Sequence, residues 1–529
     1  MTWWRSAVLY QIYPRSFADA NGDGVGDLAG ITSRLDYLAD LGVDALWLSP
    51  IYPSPMADFG YDVADYTGVD PVFGDVADAC ALIEQAHARG LRVILDFVPN
   101  HTSSAHPWFL AARADRTDPH RDWYVWADPA PDGGPPNNWL SRFDVGPAWT
   151  FDAATGQYYL HSFLPEQPDL NWRNPQVRAA MADVLRTWMD RGVDGFRVDV
   201  AHRLVKDAAL RDNPPNPDWR EGMPASRRLR ERYSRNWPEL HDVLRFLRRT
   251  VAAHGGHGGH GEVVLIGEVN LDPPELVAFY GADDELHLPL NFHTIVDLPW
   301  TAEALAGLVG DLEGRLPAHA WPTWVLSNHD KPRMASRIGR RQVPAALVWL
   351  LTLRGTPVLY YGDELGLADV DVPAALARDP WELANPGRGI GRDRARTPMP
   401  WQPGPGAGFT GPGVQPWLPL GPDRDEVNVA TQTGVATSPL ELTRALLALR
   451  RRHPVLATGD LVDLAADGPV LSYTRTDGSA RVRVVLNTAE QPATFDLDGR
   501  VLLSTGRDRD GTQLHGEVCL RAGEALVLG

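Results

Sequence analysis

The chain has 529 residues, 44% of them hydrophobic and 22% charged, proportions that exclude global disorder and a collagen-like repeat. With 50 Lys and Arg against 68 Asp and Glu, the formal charge is −18. That balance argues against nucleic acid or an anionic membrane as the main partner, because both are bound by clustered cations. No apolar run reaches the roughly 18 residues that a membrane helix needs, and residues 1–8 lack the apolar stretch of a signal peptide. Cys80 and Cys519 are the only cysteines, which excludes a disulfide framework and any four-cysteine metal site. Two buried free thiols in a reducing compartment are expected, so the protein is read as cytoplasmic.

In chain order, the first distinctive segment is Asp19-Ala20-Asn21-Gly22-Asp23-Gly24-Val25-Gly26-Asp27. Oxygen donors at every second position, with glycines that permit a tight wrap, suit a hard cation such as Ca²⁺ or Mg²⁺. The loop departs from an EF-hand at Gly30, where a bidentate Glu would stand. Asp27 takes that role beside Asp19, Asn21, Asp23 and the Val25 carbonyl. No cluster of His and carboxylates has the spacing of a catalytic zinc or iron site.

Eight short apolar runs read as buried strands: 7–13, 44–50, 91–99, 193–200, 263–269, 286–292, 323–327 and 356–361. Helix-length patterns separate many of them, such as 76–89 stopped by Gly90 and 175–191 stopped by Gly192. Strands apolar on both faces and alternating with helices predict parallel βα units. Eight such units predict a closed (β/α)₈ barrel. The sixth strand is the least regular, because Pro289 interrupts it.

Two stretches break the alternation. Residues 101–167, rich in Pro, Gly, Asn, Asp and Trp, read as a small irregular domain inserted after the third strand. Residues 453–529 turn to short alternating runs that predict a C-terminal antiparallel β-sandwich. The barrel then comprises 1–100 and 168–452. The His/Gly tract at 254–261 reads as a surface loop, since glycine spacing leaves the imidazoles unpositioned. The Gly- and Pro-rich stretch 371–421 reads as a rim after strand eight that shapes aglycone specificity.

Reactive groups in a barrel sit at the C-terminal ends of strands. Strand three ends in Asp96-Phe97-Val98-Pro99-Asn100-His101, strand four in Arg197-Val198-Asp199, strand five in Glu268-Val269-Asn270, and strand seven in Asn328-His329-Asp330. A single strand-end Asp is commonly a helix cap. Asp199, Glu268 and Asp330 together, with His101, Arg197 and His329 beside them, are better explained by function, since clustered like charges cost stability.

These motifs resemble glycoside hydrolase family 13, the α-amylase family, in its α-glucosidase and oligo-1,6-glucosidase branch. Matching segments run from Tyr10-Gln11-Ile12-Tyr13-Pro14 to Arg396-Thr397-Pro398-Met399-Pro400-Trp401, with Gln167-Pro168-Asp169-Leu170-Asn171 marking the oligo-1,6-glucosidase branch. The resemblance implies Asp199 as nucleophile, Glu268 as general acid/base and Asp330 as stabiliser of the distorted sugar. An oxocarbenium-like transition state needs a carboxylate, and a sugar leaving group needs a proton donor. Arg197, two residues before Asp199 on the same strand, is expected to keep it ionised.

The resemblance further implies that Asp62 and one arginine, Arg392 or Arg396, grip the 4-hydroxyl of a terminal glucose and make the enzyme exo-acting. His101 and His329 would donate to sugar hydroxyls, and Tyr61 and Phe163 would offer stacking faces. The loop at 19–27 would hold a structural calcium; no organic cofactor is implied. Val200 after the nucleophile leans to α-1,6 linkages, whereas Ala201-His202 resembles maltose-cleaving relatives, so α-1,4 is preferred. The expected activity is retaining hydrolysis of short α-glucosides by a monomer or homodimer, with some transglucosylation. The alternatives are an oligo-1,6-glucosidase, a trehalose synthase or sucrose isomerase type, and, remotely, a non-catalytic binding homologue.

Overall fold

The computed structural model describes residues 2–255, 261–292 and 298–529. Most of the His/Gly tract, residues 256–260, lies outside them. Eight parallel strands close into a barrel: β1 Leu9–Ile12, β2 Ala45–Leu48, β3 Arg92–Phe97, β4 Gly195–Val198, β5 Val264–Val269, β6 Leu288–Asn291, β7 Thr323–Val325 and β8 Thr356–Tyr360. Each is hydrogen-bonded to its chain neighbours, and β8 returns to β1 through Leu9↔Val358. All eight predicted runs are strands of this barrel.

Burial explains why they read as continuous apolar runs. The inward positions, among them Leu9, Ala45, Ile94, Val264, Ile266, Leu288 and Val358, fill the barrel, and the outward ones pack under the helices. Gly195 is set by close approach, because a Cβ there would stand 2.4 Å from Val264 Cγ1. Pro289 leaves its mark on β6, which pairs with β5 over four residues but with β7 only through Trp324↔Asn291. A proline has no N–H for a second ladder.

The helix Val76–Ala88 begins in a reciprocal capping box between Asp75 and Asp78, and Gly90 follows it at φ 76°. The helix Pro175–Asp190 is capped by the Asn174 side chain and followed by Gly192 at φ 98°. Both stop where a left-handed residue ends the helical hydrogen-bond pattern.

After β3 the chain leaves the barrel and forms a small antiparallel sheet of Trp126–Ala127, Trp149–Asp152 and Gln157–Leu160. It rejoins the barrel at Asp169, whose bridge to His101 closes the excursion. A second excursion, not anticipated, occupies most of residues 201–239 after β4 in turns and short 3₁₀ segments.

At the C-terminus, Asp460–Asp467, Val470–Thr476, Arg481–Asn487, Gly499–Ser504 and Ala525–Leu528 form an antiparallel sheet, with a separate pair, Ala493–Asp496 and Glu517–Leu520. Buried Arg475 clamps this sheet to the barrel, donating to the carbonyls of Thr352, Leu456 and Gly459 at 2.7 Å each. Both cysteines are free, yet neither is buried: Cys80 is half-buried and Cys519 is exposed. Cys519 occupies an outward position of its alternating strand. Among the described residues, no helix is long and apolar enough to cross a membrane.

Candidate active site

The parallel strands end on one face, and their ends deliver the charged residues to one cavity of about 270 Å³. The β3–β4 register sets Asp96 beside Arg197. Arg197 is fully buried, and its guanidinium holds three carboxylates at 2.7 Å each: Nη1 donates to Asp96 and Asp199, Nη2 to Glu268 Oε2. Val200, at φ 37°, turns its N–H onto the same Glu268 oxygen at 3.1 Å. A β-branched residue in left-handed backbone is strained by about 1–3 kcal/mol, and here that strain aims a donor at Glu268. Asn270 Nδ2 donates to the other oxygen, Oε1, at 3.2 Å.

One cation therefore serves three carboxyl groups. Burial drives Asp199 well above the ordinary carboxylate range, opposed by Arg197 and reinforced by Glu268, Asp96 and Asp330. Asp96 is pushed up to about 6, first by burial, against Arg197 and its hydrogen bonds. Arg197 lowers Asp199 as expected, but burial first and then the neighbouring carboxylates outweigh it. Asp96 and Asp199 both hold a proton more tightly than isolated carboxylates do.

Asp330, after β7, sits in the opposite setting. Enclosure disfavours its charge, but His329, Arg392 and Arg396 outweigh that and hold it well below its ordinary value. His329 receives Gln11 Nε2 on Nδ1 at 2.8 Å, which leaves Nε2–H to face Tyr61 Oη at 2.8 Å and Asp330 at 3.2 Å. Burial lowers its pKa to about 3, so it is a neutral donor. Tyr61 stacks on this imidazole, ring centroids 5.3 Å apart, and its hydroxyl donates to Asp96.

One end of the cavity is closed by Arg392, whose Nη2 donates to Asp58 and Asp379 at 2.6 Å and whose Nη1 reaches Asp330 at 3.3 Å. This resolves the arginine alternatives. Arg392 lines the cavity, whereas Arg396 lies beneath it, donating to the His329 carbonyl and to Asp330. The expectation for Asp62 is corrected. Its carboxylate turns away from the cavity and accepts from Ser54 Oγ and from the backbone N–H groups of Ala57 and Asp58 at 2.8–2.9 Å. It braces the turn that presents Asp58, and Asp58 is the cavity residue.

His101 also lines the cavity, but its ring nitrogens face protein: Nδ1 meets Asn100 Nδ2, and Nε2 meets the Tyr61 carbonyl at 3.0 Å. Burial lowers its pKa to about 4. Phe163 stands edge-on to it at 5.4 Å, and Phe143 and Trp381 extend this aromatic wall. Asp199, Glu268, Asp330, Tyr61, His101, Phe163, His329 and Arg392 therefore border one space, with Arg197 and Arg396 as its buried supports.

The loop at 19–27 lies apart from this cavity. Asp19 accepts from Gly22 and Gly24 N–H, Asn21 from Asp23, Asp23 from Val25, and Asp27 from Ala20, Asn21 and Gly30. Each side chain closes a turn on the loop's own backbone. Among the described residues, no three His, Cys, Asp or Glu side chains gather as metal ligands.

The family description "Alpha amylase, catalytic domain" matches residues 11–459. The chain belongs to the α-amylase family of glycoside hydrolases. It is 41% identical to a probable α-glucosidase of Rhizobium meliloti (strain 1021), covering 94% of this chain and 91% of that protein. It is 36% identical to an oligo-1,6-glucosidase of Parageobacillus thermoglucosidasius, covering 99% and 98%. The crystal structure of the α-glucosyl transfer enzyme XgtA superposes with a TM-score of 0.92 at 40% identity, covering 100% of each chain.

Within this family member, sequence reasoning missed Asp58, Asp379 and the structural part played by Asp96. Asp58 lies on the loop after β2, on the face where the other site residues gather. Its signal was position: the segment Ser54-Pro55-Met56-Ala57-Asp58-Phe59-Gly60 must turn tightly, and Met56 and Phe59 adopt φ 65° and 47°. Asp379 had no local signal, since only the folded rim brings it to Arg392.

Asp58→Asn should lower kcat/KM on a small α-glucoside by about 10- to 100-fold, the loss of a charge-assisted contact, with little change in melting temperature. Asp62→Asn should do the reverse, costing about 1–3 kcal/mol in urea denaturation while activity follows the folded fraction. Equal activity losses in both variants would contradict this division. In Asp96→Asn one negative charge leaves the cluster, so the remaining carboxyls hold their proton less tightly. The alkaline limb of the kcat/KM–pH profile should move down by about one pH unit.

Proposed function

We propose that this glycoside hydrolase is a retaining, exo-acting α-glucosidase. It releases the terminal non-reducing α-linked glucose of short oligosaccharides and disaccharides, with α-1,4 bonds preferred. The observation that carries the reading is the buried Asp58–Arg392 pair at 2.6 Å across one end of the cavity. Acceptor and donors side by side suit the hydroxyls of a terminal sugar and stop a longer chain from threading past.

Asp199 attacks the anomeric carbon as its bond to the glycosidic oxygen breaks, and Glu268 delivers a proton to that departing oxygen. The ionised Glu268 then takes a proton from water, whose oxygen displaces Asp199 and restores the α configuration. Asp330, kept ionised by three neighbours, faces the positive charge that develops on the sugar ring. Tyr61 and Phe163 offer faces to the ring, and neutral His329, its N–H on Tyr61 and Asp330, holds these two in place. Glucosyl transfer to an acceptor other than water is the second reading, favoured by the full-length similarity to XgtA, named as an α-glucosyl transfer enzyme. Residence in a reducing cytoplasm belongs to the same proposal, supported by two free cysteines far apart in the chain.

Maltose should be cleaved with a higher kcat/KM than isomaltose, and NMR should detect α-glucose as the first product. A disaccharide isomer as main product would replace hydrolysis with isomerisation. Glu268→Gln should cut kcat on maltose by about 10²–10⁴-fold and spare an aryl glucoside whose leaving group needs no proton.

A hard cation in the loop at 19–27 is proposed on donor chemistry: Asp19, Asn21, Asp23, Asp27 and the Val25 carbonyl are all oxygen donors. It would tie the loop's turns together away from the chemistry. Dialysis against EDTA should then lower the melting temperature, and added Ca²⁺ should restore it. An unchanged melt would remove the metal.

A further inference from the structure

The outer wall of the cavity is cationic in a protein whose formal charge is −18. Arg142, Arg203, Arg227, Arg235 and Lys331 all border the cavity. They arrive from three separate places: the excursion after β3, the excursion after β4, and the turn after β7. Arg235 marks this as the leaving-group side: it donates to the Asn270 carbonyl at 3.3 Å, and Asn270 Nδ2 in turn donates to Glu268 Oε1. Asp58 and Arg392 mark the other end.

Their neutralisation is incomplete. Glu231 takes both oxygens to Arg203 at 2.8 and 2.9 Å and lies 3.5 Å from Arg142 and 3.8 Å from Arg235. Arg227, exposed, and Lys331, half-buried, have no ion-pair partner within 4.0 Å among the described residues. Inside the cavity Asp199 and Glu268 share Arg197 and Asp330 pairs with Arg392 and Arg396, and among the described residues none of these carboxylates forms an ion pair with Arg227 or Lys331. The cations strain against one another. Glu231 attracts Arg142, yet burial and Arg203, Arg235 and Arg227 leave it below its ordinary value. Burial, Arg142 and Arg227 do the same to Lys331 despite Asp330 and Glu268. Neutral hydroxyls would not relieve that repulsion, whereas a bound anion would.

We infer that the aglycone subsite receives an anionic group, a phosphate or a carboxylate carried on the leaving-group half of the α-glucoside. This deepens the exo-α-glucosidase reading and rests on it for which end of the cavity is the aglycone's. The glucose half stays neutral and sits against Asp58 and Arg392. The acid on the other half is met by Lys331 and the arginines, where guanidinium forks suit both oxyanions.

The test compares anionic substrates with neutral counterparts. Maltobionate, which carries a carboxylate, is set against maltitol, and maltose phosphorylated on O6 of its reducing glucose is set against maltose. At low ionic strength, kcat/KM for at least one anionic member should exceed its counterpart by about tenfold or more, and added salt should erode the preference. The two arms tell carboxylate from phosphate. In Arg227→Ala/Lys331→Met the ratio of anionic to neutral kcat/KM should fall to about one, each anionic sugar being compared with its own neutral counterpart in the same variant. Arg227→Ala alone, at an exposed position, preserves the test if the double variant misfolds.

Calorimetric titration of Glu268→Gln with the same four sugars reads binding without turnover and should rank them the same way. Maltose cleavage with no anionic preference in either assay overturns this inference and leaves the α-glucosidase reading intact. A preference that survives in both variants overturns it as well. Absence of maltose hydrolysis in the unaltered protein would overturn the α-glucosidase reading, and with it the assignment of this wall to the aglycone.

Discussion

The catalytic face depends on one guanidinium shared by three carboxylates. Arg197 has no solvent contact, and Asp96, Asp199 and Glu268 each stand 2.7 Å from it. Buried like charges repel, and one cation cannot compensate three anions. Burial and that repulsion raise Asp96 and Asp199 above the ordinary carboxylate range, against the pull of Arg197. Asp330 is built by the opposite rule, with one carboxylate among several cationic and polar neighbours, and stays ionised. The same residue type thus serves two tasks because the surroundings divide charge differently.

The barrel makes this division possible. Parallel strands place β3, β4, β5 and β7 with their ends on one face, so residues remote in sequence meet without any loop having to carry them. The register sets Asp96 beside Arg197, and the strained Val200 turns its N–H to Glu268. The loops decide what lies around that centre. The turn after β2 supplies Asp58, the rim after β8 supplies Asp379 and Arg392, and the two excursions with the turn after β7 supply the cationic outer wall.

The eight strands and the strand-end motifs were legible because both obey local rules. A strand buried on both faces must be apolar throughout, and a helix between strands must end in a residue that can leave helical geometry. Asp62 misled because it sits in the right segment, Gly60-Tyr61-Asp62-Val63, with the right chemistry. Only the turn of the loop shows that its carboxylate is consumed by backbone N–H groups while Asp58 faces the cavity. The excursion after β4 went unread for a similar reason: its turns and short 3₁₀ segments have no periodicity to detect.

The sequence by itself determined the barrel, the β-rich C-terminus and the identity of the three central carboxylates, since hydrophobic period and short motifs are properties of neighbours in the chain. Only the tertiary structure decided which of Arg392 and Arg396 meets the cavity, how Arg197 apportions its charge, and that five cations from three distant segments share one wall. Electrostatics acts through space and falls off with distance between side chains. The order of residues along the chain carries no measure of that distance until the barrel closes.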